Sequence, residues 1–107
     1  MFLSLIQLIH IIHISFAVND VSKIISDPKN YHIISWLPHG RGFSIHDKQR
    51  FATEILPYHF EGAKFTSFTR RLKRWNFERV SRGPEMGAYY SKCFVRGKPE
   101  LVPRMIY

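Results

Sequence analysis

A chain of 107 residues has room for one domain, and its 45% hydrophobic and 15% aromatic content supplies a compact core, which excludes global disorder. Sixteen Lys and Arg against eight Asp and Glu leave a net charge of +8 and a pI of about 10.0, so a polyanion, nucleic acid or an acidic membrane, leads the partner classes. The single cysteine, Cys93, excludes an internal disulfide framework and a Cys-rich zinc module, and the chain contains no repeats.

Residues 1–18 form an apolar leader broken by Ser4, Gln7, His10, His13 and Ser15. Three readings of it stay open. As a secretory signal it has the length and the small residues near Ala17, but it lacks a positive n-region. As a membrane span it reaches the lower end of the usual length and holds two histidines. As an additional amphipathic helix, or sequence ahead of the true domain, it carries no chemistry. His10 and His13 can share a helix face, yet no carboxylate or cysteine lies near enough in sequence to complete a metal site. The domain proper is expected over residues 16–105, with residues 1–15 as leader.

Residues 16–26 read as a first helix with Phe16, Val21, Ile24 and Ile25 as its apolar positions, and Asp27-Pro28-Lys29-Asn30 stops it. Ile33-Ile34-Ser35-Trp36 is a short β-branched and aromatic strand. A turn through Pro38, Gly40 and Gly42 leads to a second strand at Phe43-Ser44-Ile45, so a hairpin is expected. Asp47 offers an N-cap for a second helix whose core stripe is Phe51, Ala52, Ile55 and Leu56, ended or bent by Pro57. Tyr58-His59-Phe60 then runs irregularly into a turn at Glu61-Gly62-Ala63.

Basic charge concentrates in residues 64–82, with Lys64, Arg70, Arg71, Lys73, Arg74, Arg79 and Arg82 against the one acid Glu78. Within the helix expected over residues 64–75, Phe65, Phe68, Leu72 and Trp75 fall inside about 80° of arc. Thr66, Ser67, Arg70, Lys73 and Arg74 take the other side, with Arg71 on the flank and Arg70 almost diametrically opposite the apolar stripe. A helix glued to a core on one face and cationic on the other, preceded by a helix and a turn, is the layout of a helix-turn-helix DNA reader. Such a face is often only solvated, but solvated faces usually carry acidic partners at i,i+4, and here they are missing. Beyond it, residues 77–80 and 92–96 read as two strands of a wing around a turn-rich loop, and the tail from Lys98 reads as irregular.

An enzyme finds little support. The chain has no nucleophile elbow, phosphate-cradling glycine loop, His-x-x-x-His pair or cofactor motif, and Cys93 beside Phe94 reads as packed rather than catalytic. A membrane-associated basic protein anchored by residues 1–18 is the alternative function.

Several of these segments together resemble the DNA-binding domain of heat shock factors. They are Ile33-Ile34-Ser35-Trp36 with its Pro-x-Gly turn and Phe43-x-Ile45, Phe51 through Ile55-Leu56-Pro57 with Phe60, Ser67-Phe68-x-Arg70-x-Leu72, and Phe94-x-Arg96-Gly97 before Leu101. The resemblance spans roughly residues 16–105. It implies an α+β winged helix-turn-helix, a three-helix bundle capped by a small antiparallel sheet. It also implies a nuclear, sequence-specific transcription factor that reads inverted GAA repeats in double-stranded DNA without cofactor or catalysis, with self-association on repeated sites. Arg70 matches the family arginine that meets guanine in the major groove. Ser67, Arg71 and Lys73 match neighbours that touch phosphates or base edges, and Arg74 and Lys64 join that contact set. Arg71 and Lys73 stand where the family usually has Gln and Asn, and Trp75-Asn76-Phe77 replaces its Tyr-Gly-Phe. The heptad segment by which the family trimerises does not follow within these residues.

Overall fold

The computed structural model describes residues 4–106. The first helix, α1, runs over Leu5–Ser26 and starts eleven residues before the expected Phe16. Ser4 and Gln7 explain the early start, because they form a reciprocal capping box: the Gln7 N–H donates to Ser4 Oγ at 3.1 Å and the Ser4 N–H donates to Gln7 Oε1 at 2.9 Å. The buried positions are Ile14, Val18, Val21, Ile24 and Ile25. Phe16, expected in the core, is 72% exposed, because at 100° per residue it lies on the far side of the helix from Val18 and Ile14. The helix is long and apolar enough to cross a membrane by length and composition. It nevertheless buries Ile14 and Val18 in the domain core, so the anchor formed by residues 1–18 is not supported. The break expected between residues 15 and 16 lies inside this one continuous helix.

Asp27 ends α1 and accepts from the Lys29 N–H at 3.0 Å, opening a 3-10 turn at Pro28–Asn30. Strands β1 (Ile34–Trp36) and β2 (Gly42–Ile45) form the expected hairpin, with Ile34 opposite Ile45 and Trp36 opposite Phe43. The Trp36 indole N–H donates to Ser26 Oγ at 2.9 Å and so ties the sheet to the end of α1.

Asp47 caps α2 (Lys48–Arg50), accepting from the Arg50 N–H at 3.0 Å. The helix does not continue as a regular α-helix. It widens to a π turn at Phe51–Ile55 and tightens to a 3-10 turn at Leu56–Tyr58. Pro57 is the cause: it has no N–H to give, and its ring would meet the carbonyl four residues earlier. The irregular path still buries Phe51, Ile55 and Leu56. Another 3-10 turn, Phe60–Gly62, leads into α3 (Phe65–Arg74).

The remaining strands are β3 (Glu78–Arg79) and β4 (Tyr89–Tyr90), and the antiparallel sheet has the order β1-β2-β4-β3. The wing is therefore β3 and β4 with the loop between them, closed by paired backbone bonds between Val80 and Gly87 or Ala88 at 2.8 Å. Residues 92–96, expected as its second strand, form turns instead. The chain folds there to drop Phe94 into the core, where its ring stacks on Trp36 at 4.8 Å and meets Phe77 edge-on at 5.1 Å. Cys93 is partly buried and packs against the same core. The tail is not irregular: Pro99–Ile106 winds as 3-10 helix against α1, with Val102 buried.

The end of α3 explains a departure noted in the sequence. Asn76 sits at φ 66°, its N–H donates to the Lys73 carbonyl at 3.1 Å, and the Phe77 N–H donates to the Leu72 carbonyl at 3.0 Å. This is a Schellman closure with asparagine in the left-handed position, the residue that best replaces glycine there. Phe77 and Leu72, both buried, supply its apolar contact. Asn76→Ala should therefore unfold more easily than Asn76→Gly by about 1 kcal/mol, or roughly 4–8 °C in Tm, as read from paired thermal melts. Equal melts would remove the conformational argument.

Candidate nucleic-acid interface

Aromatic packing fixes the roll of α3. Phe68 is 1% exposed and lies 5.1 Å from both the Phe51 and Phe60 rings, while Leu72 is fully buried behind it. Phe60 also reaches Trp75 at 6.5 Å, and Phe65 meets Phe51 edge-on at 6.2 Å. Phe65 is partly rather than fully buried, and Lys48 of α2 covers its outer side, laying its ammonium over the ring at 4.9 Å. The turn that brings Phe60 into place is strained, with Phe60 at φ 54° and Glu61 at φ 58° in the left-handed region.

With that face buried, the opposite face points to solvent. Thr66, Arg70, Lys73 and Arg74 are exposed, Lys64 is exposed at the N-cap position, and Ser67 and Arg71 are half-buried on the flanks. All six expected contact residues thus lie on one helix and its cap, with Arg70 at the centre. Among the described residues the ion pairs are Arg50–Glu54 and His39–Glu85, and neither involves a cation of α3. The guanidinium and ammonium groups of this face are therefore not neutralised by the protein's own carboxylates.

Beside α3 an open groove is lined by Lys48, Thr69, Lys73, Arg79 and Met86, between the helix and the wing. Lys48 and Arg79 extend the cationic surface beyond the six expected residues. Lys48 follows the Asp47 cap directly, which is a local signal, but its place over the Phe65 ring of α3 arises only when α2 packs on α3.

Two histidines, His39 and His46, serve structure. His46 shares a 2.7 Å hydrogen bond with Ser35 across the hairpin. His39 Nδ1 accepts from the Arg41 N–H at 3.0 Å, which leaves Nε2 to donate to Glu85 at 2.9 Å. The Tyr90 hydroxyl donates to the same carboxylate. This cluster fastens the wing loop to the β1–β2 turn. Among the described residues no group of three or more His, Cys, Asp or Glu could hold a metal.

The family described as HSF-type DNA-binding matches residues 17–106. Heat shock factor protein 4 of Homo sapiens is 32% identical over 91 residues, which is 77% of this chain and 18% of that protein. Transcription factor SKN7 of Saccharomyces cerevisiae is 35% identical over 68 residues, covering 64% of this chain and 11% of that one. The chain thus spans less than a fifth of the length of these curated relatives. Among solved structures, Chaetomium thermophilum Skn7 with HSE DNA superposes with a TM-score of 0.73 at 25% identity, over 81% of this chain and 94% of that one. The DNA-binding domain of a heat shock transcription factor with its cognate DNA gives 0.60 at 26% identity, over 69% and 94%.

The hydrogen bond from Tyr90, aided by His39 and the charge of Arg41, holds the Glu85 carboxyl below the usual carboxylate range and pushes the Tyr90 hydroxyl up. A depressed acid stabilises the fold at and above its ordinary pKa, and that contribution disappears as pH falls through the folded value. Tyr90→Phe should raise the Glu85 pKa towards the ordinary value, as read by carboxyl carbon NMR. An unmoved titration would show that Tyr90 is not the main cause.

Proposed function

The chain belongs to the HSF-type DNA-binding family, and we propose that it is a sequence-specific transcription factor domain that reads GAA-type repeats in double-stranded DNA through the exposed face of α3. One observation carries this reading: the cationic face of α3 has no carboxylate partner among the described residues, on a helix whose other face is locked by Phe51 and Phe60. That arrangement presents a rigid rod of donors with a width that suits the major groove.

Within it Arg70 reads guanine. Its guanidinium carries two parallel donors, and guanine offers N7 and O6 as matching acceptors on the groove floor. Lys73, Arg74 and Lys64, with Ser67 and Arg71 on the flanks, hold the phosphates or nearby base edges that border the groove. Such a domain needs no cofactor and performs no catalysis, and it acts in the nucleus. Recognition of a repeated site sets two copies side by side on the duplex.

The test separates reading from positioning. Arg70→Ala should cost about 1–3 kcal/mol on a GAA-repeat duplex and much less on a scrambled one, with stability changed by less than about 0.5 kcal/mol. Arg70→Lys should keep the non-specific binding and lose the discrimination, because it retains charge without the fork. Lys73→Ala, titrated alongside, should weaken both duplexes alike and lower the log–log salt slope by roughly one. Equal losses on both duplexes for Arg70→Ala would reduce Arg70 to a phosphate contact.

A further inference from the structure

The side of α1 that faces away from the core is as apolar as the side that faces it. Between Leu5 and Asn19 the helix carries no formally charged side chain, and Asp20 is the first. The core-facing positions Ile14, Val18, Val21 and Ile25 are spaced four, three and four residues apart. Leu5, Ile9, Ile12 and Phe16 repeat the same spacing on the opposite side, inside about 60° of arc. Their exposures are 72%, 44%, 52% and 72%, and Ile6 and Leu8 widen the stripe on either flank. An ordinary helix back is charged and solvated; this one has the alternating four-three seam of a coiled coil. Asn19 and Lys23 occupy the next two seam positions and end it.

The area of this stripe suits a helix partner. At roughly 170 Å² for a fully exposed large apolar residue, the four seam side chains hold about 400 Å² per copy and Ile6 and Leu8 raise this to about 600 Å², so two faces buried in full reach about 1,200 Å², the lower edge of stable specific interfaces. A lipid surface fits less well, since helices that lie on membranes flank the apolar stripe with Lys or Arg, and α1 has none before Lys23. The nucleation cost that defeats short isolated coiled coils is already met, because α1 is capped at Ser4 and anchored from Ile14 onward.

We propose that α1 is a self-association helix, packing along α1 of a second copy through Leu5, Ile9, Ile12 and Phe16, with Ile6 and Leu8 closing over the flanks, so that the chain forms a homodimer without DNA. The interface lies opposite the buried face, so pairing requires no rearrangement of the core.

Sedimentation equilibrium of the full chain without DNA, from low to several hundred micromolar, tests this. The wild type should approach twice the monomer mass and plateau there. The double variant Ile9→Glu, Ile12→Glu should remain monomeric, with an unchanged circular dichroism spectrum and an unchanged melt at the dilute end. Ile12→Ser, a milder change on the same face, should weaken association at least tenfold and keeps the test valid if the double variant fails to fold. A wild type that is monomeric throughout, a double variant that still dimerises, or growth to open-ended aggregates would overturn the proposal. So would a wild type that is monomeric in solution yet co-sediments with phosphatidylserine–phosphatidylcholine vesicles in an Ile9- and Ile12-dependent way.

Discussion

The clamp that Phe51 and Phe60 close on Phe68 sets the roll of the basic helix, and the rest of the binding surface depends on that roll. A helix turned by one residue, about 100°, would carry Arg70 off the outward line and swing a half-buried neighbour into its place. Rigid aromatic rings resist such a rotation better than aliphatic chains, since they have few rotamers and interlock edge to face. The structure accepts backbone strain to build the clamp, holding Phe60 and Glu61 in left-handed conformations so that the Phe60 ring reaches Phe68. That strain lies in the turn between the two helices of the helix-turn-helix, where the Phe60 ring joins them.

Around this clamp the core is continuous. Phe43 meets Phe77, Tyr89 and Phe94, and Phe94 stacks on Trp36, so aromatic contacts run from the β1–β2 hairpin through the wing strands to the turn after β4. α1 and the 3-10 tail close the far side, where Val18, Ile25 and Val102 are buried. Charge is kept out of this interior and gathered on α3 and the groove beside it. A net charge of +8 on a domain this small opposes compaction in isolation and favours a polyanion that neutralises it.

Much of this was legible in the sequence because it rests on local chemistry. The amphipathic period of α3, the Asp47 cap, the stop at Asp27-Pro28 and the hairpin turn around Gly40 each follow from a few neighbouring residues. Where the sequence misleads, the deciding contact lies elsewhere in the chain. The buried face of α1 is hidden because its apolar residues point all round, so Phe16 passes for a core residue until Ile14, Val18, Val21 and Ile25 pack into the core and turn Phe16 to solvent. Residues 92–96 read as a strand from the apolar run Cys93-Phe94-Val95, but the Phe94 ring stacks on Trp36 in the core and the chain turns there instead. On the cationic surface, the side of α3 on which Arg70, Lys73 and Arg74 stand could be read from one helical period. The joining of His39 to Glu85 and Tyr90 could not, since those partners stand 46 and 51 residues away, nor could the place of Lys48 over the Phe65 ring, which forms only on packing.

The central claim is that α3 enters the major groove and reads guanine there. Methylation interference on a GAA-repeat duplex tests it most directly, because dimethyl sulfate methylates guanine at N7, the acceptor on the major-groove floor. The account predicts that N7 methylation of the repeat guanines abolishes binding, while a ligand that fills the minor groove at neighbouring A·T pairs leaves it intact. Binding that survives N7 methylation but is lost to the minor-groove ligand would contradict it.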